Sequence, residues 1–72
     1  MQGNYNLEII YLPSKFGMVK VYVYGFKTFG AWGQVFATLD DISVNVKGYN
    51  RKKTIVRSLT SLNESLLNMK EE

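Results

Sequence analysis

Five basic side chains fall within eleven residues of this sequence, and no acidic side chain interrupts them. Their local charge of +5 exceeds the +3 of the whole chain, because the acidic residues lie elsewhere. Lysine and arginine bind phosphate oxygens, and such contacts dominate affinity for nucleic acids. Cations at the start of a helix oppose its dipole, so stability alone does not explain the run, whereas free N–H groups there add to phosphate binding. We therefore expect phosphate contacts from Lys47, Arg51, Lys52, Lys53 and Arg57.

Aromatic residues form a second concentration, between residues 22 and 36. In an extended strand, Lys20, Tyr22 and Tyr24 share the face opposite three valines. Lysines beside aromatic rings on an open sheet face are typical of surfaces that stack single-stranded bases. The alternative is structural, since aromatic residues form strands readily, pair across strands and fill interfaces between subunits. The expected second binding surface consists of Lys20, Tyr22, Tyr24, Phe26 and Lys27.

The side chains that most enzymes use are missing. The chain has no His and no Cys, which removes the commonest general base, thiol nucleophiles and the commonest metal ligands. Asp40 and Asp41 are adjacent, so in a strand they would point to opposite faces and would not act as paired carboxylates. The stretch Gly25–Thr28 ends in Lys-Thr like a phosphate-binding loop, but it lacks the upstream glycine and the following helix. We expect a non-enzymatic protein without cofactor or metal.

A length of 72 residues leaves room for one domain, taken as residues 1–72. A core of this size rarely supplies more than ~3–5 kcal/mol without a staple or a partner. Disulfides are excluded, so we expect a homodimer or a domain that docks on a larger protein. No apolar run approaches the ~18 residues of a membrane span, and the first residues lack the pattern of a signal peptide. The expected location is cytoplasmic, without membrane association.

Alternating apolar and polar residues predict four strands, at 6–12, 18–28, 34–39 and 42–47. Turn residues separate them, at 13–17, 30–33 and 40–41. One face of three of these strands is apolar throughout and should be buried. It carries Val19, Val21, Val23, Val35, Ala37, Leu39, Ile42, Val44 and Val46.

From residue 53 the apolar period becomes helical, and it predicts a helix over 53–70 with Asn50 or Thr54 as its N-cap. A competing interpretation extends a fifth strand to Leu59 and begins a shorter helix near Ser61. The β-branched residues 54–56 and a capping-box pattern at 61–64 favour that interpretation. The helical spacing crosses residue 61 unbroken, which favours the long helix. Its apolar stripe consists of Ile55, Leu59, Leu62, Leu66 and Met69, widened by Val56 and Leu67.

Together these elements predict an α+β fold, in which a four-stranded antiparallel meander is covered on one face by a single C-terminal helix. The basic run and the aromatic surface predict a small module that binds DNA or RNA with little sequence discrimination. The alternative is a protein-interaction module, a small regulator or inhibitor of the kind that phages and mobile elements encode. It would dock on a larger protein through Phe29, Trp32 and Phe36.

Overall fold

A computed structural model describes residues 7–28 and 30–70 of the chain, with side chains up to residue 68. Four antiparallel strands form one open sheet in chain order, and a C-terminal helix packs on it, which confirms the predicted α+β class. No helix in this described part is long and apolar enough to cross a membrane. The elements are β1 (Leu7–Ser14), β2 (Gly17–Gly25), β3 (Gly33–Leu39), β4 (Ile42–Gly48) and α1 (Arg51–Lys70).

The first hairpin is tighter than the sequence predicted. Pro13 and Ser14 belong to β1, so the turn shrinks from 13–17 to the two residues 15–16. The Ser14 hydroxyl closes this turn by accepting the Phe16 N–H at 3.1 Å and donating to the Gly17 carbonyl at 2.7 Å. Proline is tolerated within β1 because β1 is an edge strand. In the hairpin between β3 and β4, Asp40 adopts a φ of 54°, and the two-residue turns favoured in hairpins have a positive φ at this first position.

The predicted continuation of the second strand to residue 28 is wrong, because β2 ends at Gly25. Gly25 and Phe26 both have positive φ, 84° and 54°, so the chain leaves the extended conformation there. The Phe26 N–H donates to the Trp32 carbonyl at 3.1 Å and fixes the new direction. Alternation along the strand is therefore broken, and the Phe26 ring packs against the core at Gly33.

The core lies between the sheet and α1, on the face that the valine pattern predicted. Residues of the two central strands are almost completely buried there, and burial of a single valine contributes ~1.5–3 kcal/mol. Ile10 and Leu12 of β1 and Ile42 and Val44 of β4 pack around them, only partly buried. The buried core consists of Val19, Val21, Val23, Val35, Ala37, Leu39 and Leu62.

The long helix is confirmed and the alternative fifth strand is excluded, since α1 is continuous from Arg51 to Lys70. It begins two residues before the predicted start, because Asn50 is the N-cap. The Asn50 side-chain oxygen accepts the Lys53 N–H at 2.9 Å, and its carbonyl accepts both the N–H and the hydroxyl of Thr54. These bonds satisfy donors of the first turn that would otherwise lack partners.

The predicted apolar stripe of α1 packs on the sheet, with Leu62 in the core and Ile55, Leu59 and Leu66 against it, while Met69 lies outside the residues whose side chains are described. The buried face also extends to two small polar residues that the apolar pattern did not identify. Thr54 and Ser58 are the most deeply buried residues of its first half, at 1% and 0% exposure. These small side chains let the helix approach the sheet closely, and an added methyl group at Gly48 would lie 2.7 Å from the Thr54 hydroxyl. Val56 and Leu67, predicted to widen the buried stripe, are exposed instead.

Candidate nucleic-acid interface

The sheet face turned away from α1, named here the outer face, is left uncovered by the described elements. Alternate side chains of every strand point to it, and the strand register aligns them in rows across the sheet. The rows contain Leu7, Tyr24, Gln34 and Lys47; Ile9, Tyr22, Phe36 and Asn45; and Tyr11, Lys20, Thr38 and Ser43.

Three aromatic rings lie together on the two central strands of the outer face. Tyr22 of β2 and Phe36 of β3 are direct cross-strand partners. The rings of Tyr24 and Phe36 meet edge to face, with centroids 5.6 Å apart and planes at 77°. Such pairs are favourable by ~0.5–1.5 kcal/mol beyond their burial, so the rings hold one another in place. All three remain partly exposed to solvent, and we name them the aromatic platform.

The outer face carries positive charge without a compensating carboxylate among its described residues. Lys20 lies beside the platform on β2, and Lys47 lies on β4 in the row of Tyr24. The acid of β1, Glu8, points to the opposite face, because it pairs with the buried Val23. The outer face therefore offers both the rings that stack bases and the ammonium groups that bind phosphates.

Two amide side chains complete the outer face next to the platform. The Asn45 amide nitrogen donates two long hydrogen bonds, one of 3.4 Å to the Gln34 side-chain oxygen at the exposed surface and one of 3.3 Å to the partly buried Val35 carbonyl. Amides that are held so weakly turn readily toward a ligand, and they offer both donors and acceptors to any base edge.

The basic run lies on the other side of the molecule. Arg51, Lys52, Lys53 and Arg57 belong to α1, which covers the inner face of the sheet, so only Lys47 of the predicted phosphate ligands shares the outer face. Arg51 also has an internal partner, since its guanidinium binds the Glu8 carboxylate at 2.5 Å. The two predicted surfaces are thus separate.

Two residues of the predicted stacking surface are not part of the platform. Phe26 packs toward the core, because the positive φ of Gly25 and Phe26 turns the chain out of the strand. Lys27 lies in the exposed loop that follows β2. Conversely, Phe36 joins the platform, although its place in the sequence linked it to the alternative, protein-docking surface.

The alternative docking surface is also divided by the fold. Trp32 is about half exposed, in the loop before β3, while Phe36 lies within β3 on the outer face. Phe29, the third residue predicted for this surface, lies outside the described residues.

Sequence reasoning missed the outer residues of β1. Leu7, Ile9 and Tyr11 continue the apolar surface of the outer face from the platform to the sheet edge, with exposures of 46%, 46% and 57%. The sequence contained this information. The short turn between β1 and β2 fixes the register of the two strands, and the register determines to which face of the sheet each β1 residue points.

Comparisons of the chain with protein-family models, with curated proteins and with solved structures find no match. The fold and the outer face are therefore the basis for assigning a function.

Proposed function

We propose that this protein binds single-stranded nucleic acid, with little sequence discrimination, on its outer face. The observation that supports this proposal best is the platform of Tyr22, Tyr24 and Phe36 flanked by Lys20 and Lys47, with no carboxylate at a described position of that face. Stacking on an aromatic side chain contributes ~1–3 kcal/mol per base and is tolerant of sequence. The phosphates of the same strand would lie along the lysines.

The dimensions of the platform favour a short segment of single strand. Tyr22 and Tyr24 are two residues apart on β2, about 7 Å along the strand, and Phe36 lies about 5 Å to the side. That area accommodates two or three bases. A double helix presents its bases edge-on inside grooves, so a nearly flat sheet face with three rings is better suited to unpaired bases.

The two lysines of the outer face predict a weak and salt-dependent affinity for nucleic acid. Each neutralised phosphate of a single strand contributes about −0.7 to the slope of log K against log salt. Two lysines on the outer face give a slope of about −1.4, which is shallow. The basic run of α1 contributes attraction at a distance, but salt screens it over ~10 Å at 0.1 M.

The direct test is fluorescence polarisation with labelled twelve-residue oligo-dT and oligo-U at ~20 mM salt. Tyr22→Ala should weaken binding by about 5- to 150-fold, the equivalent of one stacked base. Tyr49→Ala is the matched control, since Tyr49 is 67% exposed and lies near the basic run instead of on the outer face. It should change affinity less than twofold. No binding of either oligonucleotide by the unaltered protein would reject the proposal.

Charge reversal separates the outer face from the basic run. The pair Lys20→Glu with Lys47→Glu should abolish binding, whereas Lys52→Glu with Lys53→Glu should reduce it only modestly and mainly at low salt. Both variants change the net charge equally, so their difference reports position and not total charge. The opposite order of effects would move the binding surface to α1.

A second candidate function, docking on a larger protein, is favoured by one further observation. On the outer face, Leu7, Ile9 and Tyr11 are exposed one after another along β1 and form an apolar row parallel to that strand. Contiguous apolar surface marks interaction sites. Ile9→Ser distinguishes the candidates, because it removes apolar area but no ring and no charge. It should leave oligonucleotide affinity within about twofold if the platform binds nucleic acid, and a larger loss would assign the binding energy to the apolar row.

A further inference from the structure

The edge of β4 is an open hydrogen-bonding surface. Within the described residues β4 has a single neighbouring strand, β3, and Leu39 and Ile42 flank the two-residue turn between them. Residues that bond to β3 alternate along β4 with residues that do not. The N–H and C=O groups of Ser43, Asn45 and Lys47 consequently point away from β3, and exposed rows of this kind accept a further strand.

The two edges of the sheet differ in how they are protected. β1 carries Pro13, which has no N–H, and Glu8, a charge on the face that packs toward the helix. Both are devices that prevent a strand from pairing with another chain. The seven residues of β4 contain no proline and no charge on the inner face; their one charged side chain, Lys47, points to the outer face near the end of the strand, and valines alternate with polar residues along β4. Of the two edges, β4 is the one built to pair.

We propose that β4 pairs antiparallel with β4 of a second copy of this chain, around a two-fold axis near Asn45. The sequence of β4 is self-complementary about that residue. Val44 would oppose Val46 of the second copy on the inner face, and Ser43 would oppose Lys47 on the outer face. The product is a continuous eight-stranded sheet that carries both helices on one face.

The position of α1 fits this arrangement. The helix packs mainly on β3 and β4, and its later residues Leu59, Leu62 and Leu66 also reach the first hairpin at Leu12, Phe16 and Val19. Strands in a sheet are ~4.8 Å apart, and joining two β4 edges would place the helix axes about 10 Å from each other. Helices in proteins pack at ~8–10 Å. Strand pairing would therefore bring the two helices within packing distance where they lie above β3 and β4.

Charges on the β4 side of α1 are complementary under the same two-fold axis. Arg57 and Glu64 share the groove between α1 and β4 near Val46. They are seven residues apart, about 10 Å along the helix, and no ion pair joins them within the described chain. In an antiparallel helix pair each Arg57 would face Glu64 of the second copy. The outer face, with its two lysines and no described carboxylate, has no such self-complementarity.

The contact area indicates a weak dimer. The shared strip is ~23 Å long for a seven-residue strand and ~20 Å high across the sheet and helix layers, or roughly 460 Å² in flat projection. Stable interfaces bury ~600–1,000 Å² of accessible surface per partner. The accessible area of the strip is larger than its flat projection, because side chains make the surface uneven, and it therefore approaches the lower end of that range. We expect association at micromolar concentration.

Cysteine crosslinking tests the edge, because the chain contains no Cys of its own. Asn45→Cys places one thiol per chain at the two-fold axis, within crosslinking reach of its counterpart. Tyr11→Cys is the matched control, since Tyr11 is exposed on β1 and reports both the other edge and the outer face. Under mild oxidation at ~50 μM, Asn45→Cys should give mainly a disulfide-linked dimer and Tyr11→Cys mainly monomer. Equal crosslinking, crosslinking of Tyr11→Cys alone, or none in either variant would overturn the proposal.

A charge swap tests the helix contact independently of crosslinking. By sedimentation velocity, Arg57→Glu should weaken dimerisation by about tenfold, because two symmetric ion pairs become repulsive. Adding Glu64→Arg should restore the affinity to within about threefold of the unaltered protein. Circular dichroism confirms that each variant is folded. A dimer insensitive to Arg57→Glu, or a loss that the second substitution does not reverse, would contradict the proposed pairing.

Discussion

Gly25 is the residue at which the outer face ends, and its replacement tests how the chain turns there. Gly25 and Gly30 have nearly the same φ, 84° and 82°. An added methyl group at Gly25 would lie 2.8 Å from the Trp32 carbonyl oxygen and 2.9 Å from the Gly33 Cα, whereas at Gly30 it would meet nothing within 4 Å. Gly25→Ala and Gly30→Ala therefore share the cost of positive φ and differ in the clash.

The magnitudes follow from these two terms. Alanine at positive φ costs ~1–2 kcal/mol, of which ~0.4–1 is offset because alanine restricts the unfolded chain. Gly30→Ala should thus destabilise the protein by about 1 kcal/mol. The clash at Gly25 is with backbone atoms of the adjoining segment and of β3, which have little freedom to shift, and overpacking adds ~1–3 kcal/mol. Gly25→Ala should cost about 2–4 kcal/mol, which is most of the stability of a chain this small.

Urea denaturation followed by circular dichroism measures both variants. With a slope of ~1 kcal/mol per M, Gly30→Ala should lower the midpoint by about 1 M and Gly25→Ala by about 2–4 M. The same Trp32 oxygen accepts the Phe26 N–H, so Gly25→Ala should also release Phe26 from the core and increase dye binding to exposed apolar surface. Equal midpoints for the two variants would refute the close approach of β2 to β3 at this point.

Substitutions at three further positions test the helix and its attachment. Asn50→Ala removes the N-cap and should cost about 1 kcal/mol by thermal or urea denaturation, while Asn50→Asp, which keeps an accepting oxygen, should cost little. Leu62→Ala creates a cavity at the centre of the core, since Leu62 is 2% exposed, and its cost of ~2–5 kcal/mol should leave a loosely packed or unfolded chain by near-ultraviolet circular dichroism. Arg51→Ala breaks an exposed ion pair and should lower stability by less than ~1 kcal/mol, with the difference vanishing in 1 M salt.

Most of the sheet was predictable because its strands alternate strictly. Val19, Val21 and Val23 identify both the strand and its buried face, and the short turns leave only one order of strands. The end of β2 was not predictable in this way. The positive φ of Phe26 accompanies a hydrogen bond to Trp32, six residues away, and alternation carries no information about such a contact.

The side of the helix that faces the sheet shows a second limit of prediction from the apolar pattern. The apolar residues Leu59 and Leu62 of α1 pack on the sheet as expected, but the buried side of the helix extends beyond them to Thr54 and Ser58. Small residues lie at the point of closest approach, and hydrophobicity alone does not identify them. The same limit applied to the candidate site. The basic run and the aromatic cluster were each evident in the sequence, but only the fold places them on opposite sides of the sheet.

The agreement between strand order and chain order also has a kinetic consequence. Each strand pairs with the one made just before it, so every ladder closes a short loop, and topologies dominated by such local contacts fold fast for their size. The exception is α1, which follows all four strands and must cover the valine face. During synthesis on the ribosome the finished sheet would therefore wait, with Val21 and Val35 unprotected, until the twenty residues of α1 emerge.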